Sequence, residues 1–347
     1  MRLHVLALLL GLGTAAYAQT TVDTDHDGLS DDVEQTLLQQ YAPRFMISST
    51  DCSIQPAQFT PAMAVPTVLA DDGSIYGQAT LHKGSSDQAE IELHYYHLWR
   101  TDCGQMGHAL DAEHVSVLLQ ATPHTSVTQN FHRDDWHAAY WYAAAHEDTV
   151  CDASQITRAA TLKAEDQGAT VWVSAGKHGS FLHEELCRRG CGGDRCTISY
   201  ELKAQPQIIN LGEWDAPMNG AIWMASTRWP LKDKITRSDF PPVRIAMLDK
   251  LNNTDIAWAN PAKRPAQAAI LGANSGISGA ATGASATGNA LATSGQSTDV
   301  ALSLATNKTG NALGTATRST GHAIGKSLHA VRKALGGEKH TQPEPEK

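Results

Sequence analysis

Ala89-Glu90-Ile91-Glu92-Leu93-His94-Tyr95-Tyr96-His97-Leu98-Trp99 is the stretch that decides the fold class. Ile91, Leu93, Tyr95, His97 and Trp99 alternate with Glu90, Glu92, His94 and Tyr96, which is the period of a β-strand. Further short β-rich runs lie outward from it at His114 to Ala121, His137 to His146, Ala169 to Ala175 and Ile198 to Ala204, bounded by Gly, Asp or Pro. Strands of this kind joined by loops predict a mainly β chain, a β-sandwich. No β-α-β spacing, G-x-G-x-x-G, P-loop, G-x-S-x-G or H-E-x-x-H occurs. Serine-nucleophile and zincin hydrolysis therefore have no positive support.

The 347 residues carry 27 Lys+Arg against 36 Asp+Glu, a net charge of -9. An acidic balance argues against general nucleic-acid binding, which rests on neutralising phosphates. Residues 1–18 read as a secretory signal. Met1-Arg2 is a short positive start, Leu3 to Ala16 an apolar run, and Ala16-Tyr17-Ala18 a small-x-small cleavage site. The expected location is secreted, periplasmic or cell-surface. Four parts follow in order: the signal, a calcium-binding loop and helix over 19–41, a β-sandwich over 42–260, and an Ala/Gly/Ser/Thr-rich tail over 261–347. The tail repeats every 11 residues, from Thr287-Gly288-Asn289-Ala290-Leu291 to Thr309-Gly310-Asn311-Ala312-Leu313 and Thr320-Gly321-His322-Ala323-Ile324. Its glycines favour a linker over a helix formed on a membrane or partner.

Cys52, Cys103, Cys151, Cys187, Cys191 and Cys196 are an even set in an exported chain, which predicts three disulfides. The cluster at 187–196 lacks a well-spaced fourth zinc ligand, and spacing alone does not give the pairing.

Two stretches carry metal chemistry. Asp23-Thr24-Asp25-His26-Asp27-Gly28-Leu29-Ser30-Asp31-Asp32-Val33-Glu34 has the ligand order of a calcium loop. Asp23, Asp25, Asp27 and Asp31 offer carboxylates, Leu29 a carbonyl, Glu34 two oxygens, and Gly28 the tight turn that wraps them around a hard cation. No second helix-loop-helix is visible, so a structural Ca²⁺ is expected. The alternative is a solvated acidic turn that caps a helix. The second stretch runs from Trp99 to Val115. On a strand, Asp111 and Glu113 share one face and His114 takes the other, with Asp102 and His108 on the preceding loop. Three carboxylates and an imidazole suit Ca²⁺, Mg²⁺ or Mn²⁺, and a solvated acidic rim is the alternative.

Gly107-His108-Ala109-Leu110-Asp111-Ala112-Glu113 resembles the G-H-R-H-D-W-E heptapeptide of the necrosis-inducing-like cytolysins of plant pathogens. Glu92 to Asp102 looks like the aromatic strand before it, and Val171 to Phe181 like a later strand ending in His-Gly. Tyr41-Ala42-Pro43-Arg44-Phe45, Asp111-Ala112-Glu113-His114-Val115 and Lys177-His178-Gly179-Ser180 resemble the vacuolar protein sorting-associated family. The matches are scattered over about 41–230. The cytolysin resemblance implies a sandwich, a divalent cation on Asp102, His108, Asp111 and Glu113, a cavity lined by His178, and sphingolipid head-group binding with membrane damage. Leu110, Ala109 and Ala112 depart from the heptapeptide, so metal binding carries over better than toxicity. The first functional expectation is recognition of a glycan or lipid head group through the cation. The alternatives are a metal-dependent hydrolase with His178 or His114 as base, and a structural calcium-binding surface protein.

Overall fold

The computed structural model describes residues 22–261 apart from 83–87, 105, 123–131, 150, 191–193, 203–207, 230 and 250–255. The stretch read as a secretory signal, Cys191 and the repeats of the tail lie outside the described residues. In chain order the principal strands are β1 (Arg44–Ser48), β2 (Ile75–Leu81), β3 (Glu90–Asp102), β4 (His108–Ala121), β5 (Trp136–Ala143) and β6 (Gln155–Arg158). They continue as β7 (Thr170–Val173), β8 (Ser180–Phe181), β9 (Ser199–Glu201), β10 (Ile208–Asn210) and β11 (Ile256–Trp258). A seven-stranded sheet runs β10-β2-β3-β4-β5-β6-β11, and a four-stranded sheet runs β8-β7-β1-β9. The chain is mainly β, a disulfide-bonded sandwich.

Side-chain alternation builds the core between the sheets. Phe45 and Ile47 of β1 and Val171 and Val173 of β7 join Tyr95, Trp99, Val115, Val117 and Trp141 of the large sheet in one buried cluster. The other face of the large sheet is covered too. Tyr76, Tyr96 and Leu98 pack on Phe59, Trp223 and Ile235, and Leu118 and Tyr142 pack on Phe240 and Leu248. Glu90 to Trp99 is consequently buried at every position. The alternation read from the sequence separates two buried faces, not core from solvent.

β3 and β4 pair in antiparallel register along almost their whole length, with Tyr95 opposite Val115, His97 opposite Glu113 and Trp99 opposite Asp111. Asp102 and His108, expected on a loop, instead lie opposite each other at the strand ends. The turn between them is residues 103–107, closed by Gly107 N donating to the Gly104 carbonyl at 3.0 Å. A Cβ at Gly107 would lie 2.3 Å from the Asp102 carbonyl oxygen, so the tight return needs glycine. The run expected from His137 to His146 stops at Ala143, ahead of a left-handed φ of 51° at His146. The run expected over 198–204 shortens to Ser199–Glu201, where pairing with β1 ends.

Helix α1 (Asp31–Gln40) belongs to the core of the sandwich. Leu37, Leu38 and the following Tyr41 enter the inter-sheet cluster, and the Tyr41 hydroxyl donates to the Trp136 carbonyl at 2.6 Å. Gly77 of β2 admits the helix, because a Cβ there would lie 2.7 Å from Leu38 Cδ2. Disulfides join Cys52 to Cys103 and Cys187 to Cys196. Cys151 is disulfide-bonded as well. Paired cysteines fit an oxidising, extracellular setting. Gly77→Ala overpacks the helix contact and is expected to cost about 1–3 kcal/mol in urea denaturation. An unchanged midpoint would mean that α1 docks more loosely than this packing requires.

Candidate functional site

The inner face of β4 turns polar at its first residues. Past Val117 and Val115, the same face presents Glu113 and Asp111 at one end of the sandwich. Both carboxyls are nine-tenths buried. The turn after β7 brings His178 across: its Nδ1 lies 2.9 Å from Asp111 Oδ2, and its Nε2 lies 3.2 Å from Asp51 Oδ1. Trp99 stacks on the imidazole at 4.0 Å, 7° from parallel. His178 adopts φ 54°, and Asp51 Oδ2 accepts from Gly176 N at 3.1 Å, bracing the turn. Burial opposes a charge on His178, but the hydrogen bonds to Asp111 and Asp51 outweigh it and raise its pKa to about 9. Asp111 is in turn held below the usual carboxylate range; burial works against this, and the bond to His178 prevails.

Glu113 is different. Burial pushes its pKa to about 7, with Lys234 opposing and Asp111 reinforcing the rise. Its nearest cation is Lys234 Nζ at 3.8 Å, and that ammonium also donates to the Ala112 carbonyl. Asp102 accepts from Lys177 Nζ at 2.5 Å and lies 3.4 Å from His108 Nε2. His108 is exposed, and its Nδ1 meets the Leu110 carbonyl at 2.8 Å. The four expected ligands therefore line one end of the hairpin in two pairs, Asp111 with Glu113 and Asp102 with His108. Among the described residues, no three of them bring ligand atoms within 4.8 Å of one another.

His178 lies against Asp111 at this end of the sandwich. His114 does not: it faces the opposite side of the sheet, where its Nε2 lies 2.9 Å from Asp239 Oδ2. Sequence reasoning missed Asp51, Lys177, Lys234 and Asp194, the last of which hydrogen-bonds His146 beside Glu113. Only Asp51 had a signal, its place next to Cys52, whose disulfide to Cys103 draws that loop to the hairpin turn.

The acidic loop over 23–34 turns tightly at Gly28. Gly28 takes φ 97°, Asp27 Oδ1 accepts from Leu29 N at 2.7 Å, and Asp23 Oδ2 from Gly28 N at 3.2 Å. Asp23, Asp25 and Asp27 place carboxylate oxygens within 4.8 Å of one another. Glu34 is fully buried, with one oxygen accepting from Asn210 Nδ2 at 3.0 Å. Asp31 turns to Thr24, accepting from its N at 2.8 Å and its hydroxyl at 2.6 Å. Five buried oxygens have no hydrogen-bond partner: Asp23 Oδ1, both oxygens of Asp25, Asp27 Oδ2 and Glu34 Oε1. Burial and mutual repulsion raise Asp25, lift Asp27 to about 6 and lift Glu34 to about 9. A hard dication fits such a donor set.

No protein-family model and no curated protein matches the chain. Some solved structures are similar. One is a mutant of NLPPya, a necrosis and ethylene-inducing-like toxin, at 15% identity over 55% of this chain and 78% of that one, with a TM-score of 0.33. Another is NLPPya in complex with glucosamine, at 14% identity over 55% and 77%, with a TM-score of 0.30. A third, described as a toxin fold for microbial attack and plant defense, shares 14% identity over 58% and 85%, with a TM-score of 0.32. At these TM-scores the likeness carries neither ligand nor activity to this chain.

The His178 bridge makes stability depend on pH. Its folded pKa of about 9 lies above the ordinary histidine value. Its contribution, up to about 3 kcal/mol, is therefore complete below about pH 6.5 and lost as pH rises through 9. His178→Gln should destabilise the protein most near pH 6 and progressively less toward pH 10, as read by denaturant titration. A pH-independent difference would contradict the charged bridge.

Proposed function

We propose that this chain is an exported, calcium-stapled β-sandwich that binds a polar head group, of a glycan or a lipid, through a divalent cation at the Asp111–Glu113 end of the sandwich. Asp102, His108, Asp111 and Glu113 are the cation's ligands in this reading, with Ca²⁺, Mg²⁺ or Mn²⁺ as the ion. The observation that carries it is the pair of adjacent carboxyls on one buried strand face, of which Glu113 meets its nearest cation, Lys234, only at 3.8 Å. A buried carboxyl left so is costly unless a proton or a cation joins it. Lys177 lies beside Asp102 and Lys234 beside Glu113. Asp102, His108, Asp111 and Glu113 would hold a dication in place of these ammonium groups, and the ion would supply open positions for sugar or phosphate oxygens. Met106, 89% exposed on the hairpin turn beside Asp102 and His108, favours a head group that belongs to a lipid.

The loop over 23–34 is the staple. Its five unpartnered buried oxygens support one Ca²⁺ held by Asp23, Asp25, Asp27 and Glu34, with the Leu29 carbonyl and Asp31 completing the wrap. Because α1 starts within the loop and ends in the core, the ion would tie the N-terminal segment to the sandwich.

Metal content of the purified mature protein tests the head-group site. Two ions of the calcium, magnesium or manganese class per chain are expected, one of them lost in Asp111→Ala/Glu113→Ala, along with chelator-sensitive binding to head-group vesicles or to the soluble sugar. Binding that ignores both chelator and the double substitution sinks the reading. The staple has its own test. Without calcium, Asp27 and Glu34 have folded pKa values above their unfolded ones. The stability they contribute in protonated form is present below about pH 4 and is lost as pH rises through 6 and then 9. Calcium should therefore raise the melting temperature more at pH 8 than at pH 5. Equal melting with calcium and with chelator at pH 8 would leave the loop without an ion.

A further inference from the structure

The face of the large sheet opposite to Asp111 and Glu113 holds a second, fully buried group of ligand-type side chains. His94 on β3 and His114 on β4 both point to Asp239, which reaches the sheet from the segment that covers it. His114 Nε2 lies 2.9 Å from Asp239 Oδ2 and His94 Nδ1 lies 3.5 Å from the same oxygen. The three ligand atoms fall within 4.8 Å of one another.

Hydrogen bonding alone leaves this group incomplete. Of the three facing atoms, His94 Nδ1 is buried without a hydrogen-bond partner, and so is the other carboxylate oxygen, Asp239 Oδ1; a polar atom so placed is costly. The 3.5 Å approach of His94 to Asp239 is poor for a hydrogen bond, yet it is the spacing of two ligands on one small ion. Donors about 2.0–2.1 Å from zinc at a tetrahedral angle stand roughly 3.3 Å apart. The surroundings also match. Glu92 Oε1 lies 3.1 Å from His94 Nε2, the outer carboxylate that orients a ligating imidazole. Asp239 Oδ1 faces Arg237 Nε at 3.5 Å and Arg244 Nη1 at 3.9 Å, while Oδ2 faces the histidines and accepts from Ser116. Oδ2 is thus the oxygen on which both histidines converge. Glu92 and Arg237, which flank this group, also line a cleft of about 670 Å³ together with Ser238 and His82.

We propose that His94 Nδ1, His114 Nε2 and one oxygen of Asp239 form a binding site for a borderline divalent transition ion of the zinc class. Two imidazole nitrogens and a carboxylate suit zinc or cobalt and disfavour calcium. The site is separate from the head-group site and stands whether or not that reading holds.

Tag-free mature protein, kept in calcium, is titrated with Co²⁺ and then with Zn²⁺. One Co²⁺ per chain with visible d–d absorption, displaced by zinc, is expected. The absorption should vanish in His94→Gln and His114→Gln, persist in Asp111→Ala/Glu113→Ala, and appear with about tenfold weaker affinity in Glu92→Gln. X-ray absorption of zinc-loaded wild type, which needs no variant to fold, should show two imidazoles in the first shell. The proposal is overturned by wild type without cobalt absorption, by absorption that survives both histidine substitutions, by its loss in the Asp111/Glu113 variant, or by an all-oxygen shell.

Discussion

Burial of the β3–β4 hairpin on both faces is the constraint on which the rest of the structure depends. One face closes against β1 and β7 through Phe45, Ile47, Val171 and Val173. The other closes against Trp223, Ile235 and Phe240. The polar side chains from Glu90 to Trp99 and from Asp111 to Leu119 are then interior groups and must find partners inside the protein. On the inner face His97 meets Ser180 and Asp111 meets His178. On the outer face Glu92, His94, His114 and Ser116 gather around Asp239.

The same constraint explains why acids cluster where they do. Desolvation penalises a lone carboxylate, so each buried acid is held by a cation, by a proton or by a space suited to an ion. Asp111 and Asp239 take the first course, with ionised forms held by neighbouring histidines. Glu113 and Glu34 take the second, with pKa values raised to about 7 and about 9. These raised groups sit at the two places whose spacing in the sequence already resembled metal ligands. Repulsion among close acids would become shared attraction once a dication is present.

Some of this was legible residue by residue. The alternation from Ala89 to Trp99 predicted a strand, and a strand is what forms. Gly28 and the acids around it predicted a tight acidic loop, because the ligand order and the glycine act within twelve consecutive positions. The even cysteine set predicted disulfides but not their pairing, which depends on which loops meet. The alternation did not reveal that both faces of the strand are covered. His94 and Tyr96 look like solvent-facing residues until the 211–249 segment folds over them.

The sequence by itself determined the β class, the acidic loop and the common face of Asp111 and Glu113, because each follows from a periodicity carried by neighbouring residues. The tertiary structure alone decided the partners. Asp51 reaches His178 across 127 positions and Asp239 reaches His114 across 125. No local rule relates residues so far apart. Their meeting is set by how the two sheets and the covering segment close on one hairpin, and by the cost of leaving any of these groups buried alone.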